Sequence, residues 1–317
     1  MIRIATRNSA LAKAQAGQIA ALLGGELVEV SSDGEVGDKA RFVRGVERAL
    51  LSGDADIGVH SAKDLPGEMP EGLTIAAVPV REDPADVWIG ALLPGASGQE
   101  HRALDDVPTR ARVGTASLRR RAQLLAARPD LMVGELHGNV DTRLRKLAEG
   151  ELDAIVLAAA GLRRLGREEE ASFSIPGEVM TPAAGQGALV LQAREDDAAA
   201  LEAAAEIGDE TALRELTAER AVVGLLDATC ATPIGVHARV GIPSDDGRPA
   251  GGRIADDSAN STSLAVEAFV GLPDGNEWIR DRVEGHAAEP AAAGALLAER
   301  LLGAGAREIL DRAEAMA

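Results

Sequence analysis

The chain has one cysteine, no tyrosine, two tryptophans and three phenylalanines among its 317 residues. A single cysteine excludes an internal disulfide and a multi-thiolate metal site. Cys230, in "DATCATPIG", is therefore either a small buried apolar residue or the one thiol the protein uses. So few aromatics leave little with which to stack nucleic-acid bases. No apolar run is long enough to cross a bilayer, so no membrane partner is expected. The five histidines, at 60, 101, 137, 237 and 286, lack metal-ligand spacing, and no metal is expected. A P-loop, an H-E-x-x-H motif and a G-x-S-x-G elbow are all missing. The N-terminus "MIRIATRNSALAKAQAG" lacks the charged, apolar and cleavage regions of an export signal. With one thiol and no such signal, a reducing cytoplasm is the expected setting.

Positive charge is also scarce. Lysine occurs only at 13, 39, 63 and 146, and the formal net charge is −18. Acidic clusters at 168–170, 196–197 and 245–246 mark surface segments. Such a lysine-poor, acidic surface fits adaptation to high salt, where self-repulsion is screened. An ordinary acidic cytosolic protein is the plainer alternative. Duplex nucleic acid is not expected as a partner, because phosphate binding needs a basic face.

The first two-thirds of the chain alternate strand-like and helix-like segments. "RIATR" precedes "SALAKAQAGQIAALLG", "RVGTA" precedes "SLRRRAQLLAARPD", and "LMVGELH" precedes "DTRLRKLAEG". "GLTIAAVPV", "DAIVLAAAG" and "ALVLQA" read as further buried strands. This alternation predicts an α/β architecture with mainly parallel sheets. Two punctuated stretches, "REDPADVW" at 81–88 and "TPAAGQG" at 181–187, read as crossings between two lobes. After about residue 208 come the helix "TALRELTAERAVVGLL", a glycine- and aspartate-rich section, and a final helix "AAAGALLAERLLGAGAREILDRAEAM". The expected division is residues 1–82 with 186–205, then 86–182, then an α+β domain over 208–317 that carries Cys230.

Four junctions repeat one design: a strand, a short polar turn and a helix, with a cation close by. They hold Arg7 and Ser9; His60, Ser61, Lys63 and Asp64; Thr115, Ser117, Arg119 and Arg120; and His137, Asn139 and Arg143. Ligands of α/β sheets bind beyond the carboxyl ends of the strands, where helix N-termini offer free N–H groups to anions. Arginine adds bidentate carboxylate recognition. With Arg163 and Arg164 of "GLRRLG", these junctions describe a cleft for a polyanionic small molecule. Each has a local explanation as well. Ser61 and Asp64 have capping-box spacing, and Ser9, Ser117 and Asn139 suit ordinary N-caps. "RRR" at 119–121 suits a solvated helix face. The shared design, with all four junctions directed at one sheet edge, favours the ligand site. Asp64 is the one acid expected inside the basic cleft, where it should stay ionised. His60 is expected to support the site through hydrogen bonds.

These motifs occur in the order found in the porphobilinogen deaminase (hydroxymethylbilane synthase) family. "RIATRNSALA", "HSAKDLP", "VGTASLRR", "GNVDTRL", "LAAAGLRRLG", "PAAGQGAL" and "CATPIG" each resemble a family motif, and "VGLPDGNEWIR" and "GAREIL" extend the match almost to the C-terminus. The resemblance implies two hinged α/β lobes of periplasmic-binding-protein-like type and a smaller C-terminal α+β domain. It implies a transferase of porphyrin and haem biosynthesis that adds four porphobilinogen molecules to a cysteine-linked dipyrromethane primer, with loss of ammonia. Hydrolysis then releases the linear polypyrrole, hydroxymethylbilane. Cys230 matches the thioether attachment position, and Asp64 the catalytic aspartate. Arg7, Arg119, Arg120, Arg143 and Arg164 match carboxylate-binding arginines. Ser9, Ser61, Lys63, Thr115, Ser117 and Gln186 match supporting contacts to cofactor and substrate. The segment 31–42, with Lys39, matches a lid. A monomer is expected.

Two positions depart from the family pattern. Glu35 stands where a lysine is common, and His137 where an arginine is usual. Both remove fixed positive charge without touching Cys230 or Asp64. The competing reading is a two-lobed binding or regulatory protein for an acidic small molecule, since fold does not imply function. Such a protein has no use for Cys230 or Asp64.

Overall fold

The first strand, β1 (Arg3–Arg7), buries Ile4, Ala5 and Thr6 in succession, the pattern of a strand covered on both faces. Ser9 stops it and caps α1 (Ala10–Leu23), accepting from the Ala12 N–H at 3.2 Å. Gly24, left-handed at φ 62°, closes that helix. In the computed structural model, which describes residues 1–31, 41–67, 69–93, 103–229, 231–241 and 263–316, this unit opens the first of three sheets. Cys230, Lys39, Glu35 and most of the expected lid lie outside the described residues.

Next come β2 (Glu26–Val30), α2 (Arg41–Leu51), β3 (Ile57–Ser61) and β4 (Leu73–Ala77). The chain then crosses into β5 (Asp86–Gly90), β6 (Arg112–Gly114), α3 (Leu118–Ala127), β7 (Met132–Gly134), α4 (Val140–Ala148), β8 (Ala154–Ala158), α5 (Ala159–Arg164) and β9 (Phe173–Ile175). It returns through β10 (Leu189–Arg194), α6 (Ala198–Ala205) and α7 (Glu210–Leu225). The C-terminal part holds β11 (Ile234–Val240), β12 (Ser263–Gly271), β13 (Trp278–His286), α8 (Pro290–Gly303) and α9 (Ala306–Met316).

The first sheet runs β2-β1-β3-β10-β4 and the second β7-β6-β8-β5-β9. Their designs match. Three strands are parallel, and the fourth position is taken by the strand that has just crossed from the other lobe. That strand, β10 or β5, is antiparallel to both its neighbours. Each sheet packs its own apolar core, with Ile4, Ile57 and Leu191 in one and Trp88, Val113 and Val156 in the other. The third sheet, β11-β12-β13, is antiparallel and packs α7, α8 and α9 around a separate core. The architecture is therefore two α/β lobes of matching topology, joined by two crossings, and a smaller C-terminal α+β unit.

The lobe sheets are mixed rather than mainly parallel, each with two parallel and two antiparallel pairings, because the strand returning from the other lobe inserts in reverse. Three further details differ from the sequence expectation. The final helix is two, because Gly305 adopts φ 96° after Gly303 and breaks the hydrogen-bond ladder. "DVWIG" is the buried strand β5 rather than the tail of a linker. The glycine- and aspartate-rich section contains three full strands, whose alternation is broken where both faces are covered at Phe269–Gly271.

The two crossings lie against each other. The Glu82 N–H donates to the Gly187 carbonyl at 3.2 Å. Gly187 sits at φ 88°, and a Cβ there would collide with the Glu82 carbonyl. The C-terminal unit grips both crossings through one buried cluster. Arg81 Nη1 and Nη2 meet the Glu219 carboxylate at 2.7 and 3.2 Å, and Arg81 Nε donates to the Gln186 carbonyl at 3.0 Å. Glu219 also accepts from the Gly185 N–H at 2.6 Å and the Ala238 N–H at 2.8 Å. Burial alone would raise the Glu219 carboxyl, but Arg81 and His237 outweigh it and hold it at about 2. A fully satisfied buried pair of this kind sets geometry more than it adds stability.

Candidate active site

The four junctions lie two on each lobe sheet rather than along one edge. β1 and β3 end on the first sheet, β6 and β7 on the second, and Gln186 in the return crossing joins the two sides. Its Oε1 accepts from Lys63 Nζ at 3.3 Å and from Arg119 Nη2 at 3.4 Å. Its Nε2 donates to the Pro84 carbonyl at 2.6 Å and to Asp86 at 3.1 Å. One glutamine thus touches both lobes and both crossings. The tight "AAGQGA" turn that holds it needs Gly185 at φ 71°, where a Cβ would press on Ala62.

On the first lobe, Arg7, Gln15, His60, Ser61 and Asp64 line one small pocket. Lys63 and Asp64 belong to a single 3₁₀ turn, Ala62–Asp64, rather than to a helix. The capping-box reading of this turn fails, because the Ser61 side chain caps nothing. Its hydroxyl instead meets the Gln15 side chain, 2.9 Å from Nε2 and 3.2 Å from Oε1. His60 Nε2 lies 2.9 Å from Gln192 Oε1, and burial pulls its pKa down to about 4, so the ring is neutral near pH 7. Burial, followed by the Arg120 guanidinium, lowers Lys63 to about 8, against the pull of Asp64 and Asp86.

On the second lobe, Ser117 caps α3 at the Arg120 N–H, 3.4 Å away, and Thr115 Oγ1 accepts from the Ser117 N–H at 3.1 Å. Asn139 caps α4 at the Thr142 N–H, 2.9 Å away. Arg119 and Arg120 are buried rather than solvated. Both converge on Asp86, with Arg119 at 2.6 and 3.2 Å and Arg120 at 2.9 and 2.8 Å. Asp86 was not expected here. It corrects the reading of Asp64 as the one acid in the basic cleft. Asp86 reads as linker polarity in "REDPADVW", yet it opens β5 at 0% exposure. Burial alone would raise its carboxyl, but the two guanidinium groups outweigh that and hold it well below the usual carboxylate range.

Arg143 donates Nε to the Gly138 carbonyl at 2.9 Å, and burial together with Arg120 lowers it to about 10. Its terminal amines make no hydrogen bond among the described residues. Arg164 donates to the Gly187 carbonyl at 2.7 Å. Arg163 turns outward to Glu82 and Asp83. His137 is exposed, with Nε2 3.0 Å from Glu135.

The cleft therefore holds two acids of different standing. Asp86 is saturated by Arg119, Arg120 and Gln186 and is closed to solvent. Asp64 is exposed, lines the pocket beside Arg7, and has no hydrogen-bond partner among the described residues. Of these two, Asp64 is the one whose carboxylate stays open. With Asp86 accounting for one arginine, the surrounding cations leave a site suited to several carboxylates.

Comparison with known proteins decides the family. The sequence pattern described as porphobilinogen deaminase, dipyromethane cofactor binding domain, matches residues 2–202. The pattern described as porphobilinogen deaminase, C-terminal domain, matches residues 213–303. The chain belongs to the porphobilinogen deaminase family. It is 40% identical to the porphobilinogen deaminase of Syntrophus aciditrophicus over 99% of both chains. It is 40% identical to that of Campylobacter curvus, over 100% of this chain and 99% of the other. Against that of Desulforudis audaxviator it is 44% identical, covering 92% of this chain and 85% of the other. All the cleft residues described above fall within the first of the two porphobilinogen deaminase segments.

Sequence reasoning missed Gln15, Asp86 and the Arg81–Glu219 pair. A signal existed for Glu219. It falls with Glu215 on the buried face of α7 beside Ala212, Leu216 and Val222. An acid repeated four residues apart on an apolar stripe marks a buried partner. Asp86 carries no such signal, because its neighbours in sequence are ordinary crossing residues.

Proposed function

We infer that this chain is a hydroxymethylbilane synthase. It joins four porphobilinogen molecules with loss of ammonia on a dipyrromethane held by a thioether to Cys230, then releases the linear tetrapyrrole by hydrolysis. The observation that carries this reading is the open Asp64 carboxylate among cleft cations, in a chain of this family. The setting that goes with it is cytoplasmic, which the single cysteine supports, and the chain is read as a monomer. The three sheets are read as three domains: 1–82 with 186–205, 86–182, and 208–317.

The donor set fits the cofactor. Its two pyrroles carry four carboxylates, and Arg7, Lys63, Arg119, Arg120, Arg143 and Arg164 supply cations from both lobes, with Ser9, Ser61, Thr115 and Ser117 at the strand ends. When bound, the group supplies a nucleophilic pyrrole carbon. Asp64 faces the positive charge that grows on the incoming pyrrole as its C–N bond breaks and ammonia departs. An ionised carboxylate fixed beside that charge lowers the barrier without reorganising. Arg119 and Arg120 are held in place by Asp86, so the second lobe presents an oriented face rather than mobile side chains. His60, kept neutral by burial, adds no charge to this balance.

The reading is tested by incubating purified chain with porphobilinogen. Four ammonia molecules should appear for each linear tetrapyrrole released. Tight binding of porphobilinogen without ammonia release would instead support the binding-protein reading.

The Lys63 pKa carries a pH dependence. With its pKa near 8, the cation is present below that pH and is lost as pH rises through it. In wild type, kcat/KM for porphobilinogen should fall on an alkaline limb centred near 8. Lys63→Arg keeps its charge throughout, so that limb should move beyond pH 9. Superimposable wild-type and variant profiles would remove Lys63 from carboxylate binding.

A further inference from the structure

Gln123 belongs to none of the motifs that identify the site and reaches no open space, being 1% exposed. Its amide is nevertheless where α3, the return crossing and the C-terminal sheet meet. Oε1 accepts from the Thr181 N–H at 2.8 Å, and Nε2 donates to the Thr181 carbonyl at 3.0 Å. A side-chain amide bonded to both the N–H and the C=O of one residue satisfies its donor and acceptor together, as a neighbouring strand would, and fixes its orientation. The Thr181 carbonyl held this way also accepts from Arg119 Nη1 at 2.9 Å. Arg119 lies one helical turn before Gln123 on α3, so the helix, the crossing and the guanidinium form one closed unit.

The C-terminal domain enters the same unit. Arg280 of β13 donates to Gln123 Oε1 at 3.2 Å and to the Val179 carbonyl at 3.3 Å, with its guanidinium 5.6 Å above the Phe269 ring. Gly235 of β11 packs on Thr181, where a Cβ would lie 2.5 Å from the Thr181 carbonyl oxygen. The next residue, Val236, donates its N–H to the Pro182 carbonyl at 2.8 Å. Contacts from the C-terminal domain thus end on Gln123 and on the crossing at Val179, Thr181 and Pro182, around the carbonyl that aims Arg119.

We propose that Gln123 is a positioning residue for carboxylate binding: it holds the Thr181 backbone that orients Arg119, and through Arg280 it ties that orientation to the C-terminal domain. The proposal rests on the porphobilinogen deaminase reading above. Arg119 makes two contacts to Asp86, one to Gln186 and one to Thr181. Releasing the Thr181 backbone frees the crossing on one side of this set and lets the guanidinium turn toward Asp86.

Gln123→Met keeps the side chain's length and burial but removes both the donor and the acceptor of the amide. Arg280→Met removes only the link to the C-terminal domain. Both variants and their double mutant are compared with wild type in KM and kcat for porphobilinogen, in melting temperature and in intact mass. KM should rise about tenfold in Gln123→Met and about threefold in Arg280→Met, with kcat within about threefold and the covalent mass excess retained. The double mutant should be no worse than Gln123→Met, because residues acting through one shared group are not additive. A lowered melting temperature with unchanged KM would reduce Gln123 to a structural role and overturn the proposal. Independent, multiplying effects in the double mutant would overturn the link through Arg280. If Gln123→Met does not fold, Arg280→Met decides alone, and an unmoved KM there overturns the proposal. A wild-type chain with neither mass excess nor turnover overturns the porphobilinogen deaminase reading and this proposal with it; normal wild-type turnover with unmoved variants overturns the proposal alone.

Discussion

Asp64→Asn should lower porphobilinogen turnover by about a hundredfold or more, the usual cost of removing a group aimed at developing charge. Asparagine keeps the shape of the side chain and removes only its negative charge. The melting temperature should stay within about two degrees of wild type, because exposed positions without structural partners tolerate such changes. Two features of the structure support that separation of activity from stability. Asp64 is exposed, and the 3₁₀ turn it ends is not held by a capping box. Asp86, the other acid of the cleft, provides the contrast. Losing its charge would leave Arg119 and Arg120 buried without a counter-ion, a loss of stability before any loss of chemistry. Steady-state assays and thermal melts of Asp64→Asn distinguish the two behaviours. Near-normal turnover would take Asp64 out of the chemistry.

Cys230→Ser should abolish turnover and remove the covalent mass excess in the same step. A serine hydroxyl matches the thiol in size but is a far weaker nucleophile toward carbon at neutral pH, because so little of it is ionised. No thioether forms, and the cations of the cleft have no tethered primer to hold. The flanking residues Thr229 and Ala231 are exposed in a turn where Thr229 Oγ1 accepts from the Ala231 N–H at 3.2 Å. Serine is close to cysteine in size and the residues on either side are exposed, so the variant should fold. Intact mass spectrometry of wild type and variant, purified in parallel, is the measurement. An active wild type whose mass equals that of the bare polypeptide would refute covalent attachment.

Much of this protein was legible from local sequence. Ser9, Ser117 and Asn139 cap the helices that follow them, and the alternation of buried strands and helices marked out both lobes. These features depend on residues a few positions apart, so short patterns report them. The order of the motifs carried the family, and with it the roles proposed for Asp64 and Cys230. Tertiary structure decided what each cation and acid actually touches. Asp86 is 33 and 34 residues from Arg119 and Arg120, and 100 from Gln186. Arg81 and Glu219 are 138 apart. At such distances no propensity or spacing rule selects a partner. The choice is made when burial strips water from a charge, which must then be matched by whichever opposite charge the fold brings within reach. That is why two acids that look alike in sequence part company here. Asp86 is enclosed and becomes part of the frame, and Asp64 keeps its contact with solvent and remains available for chemistry.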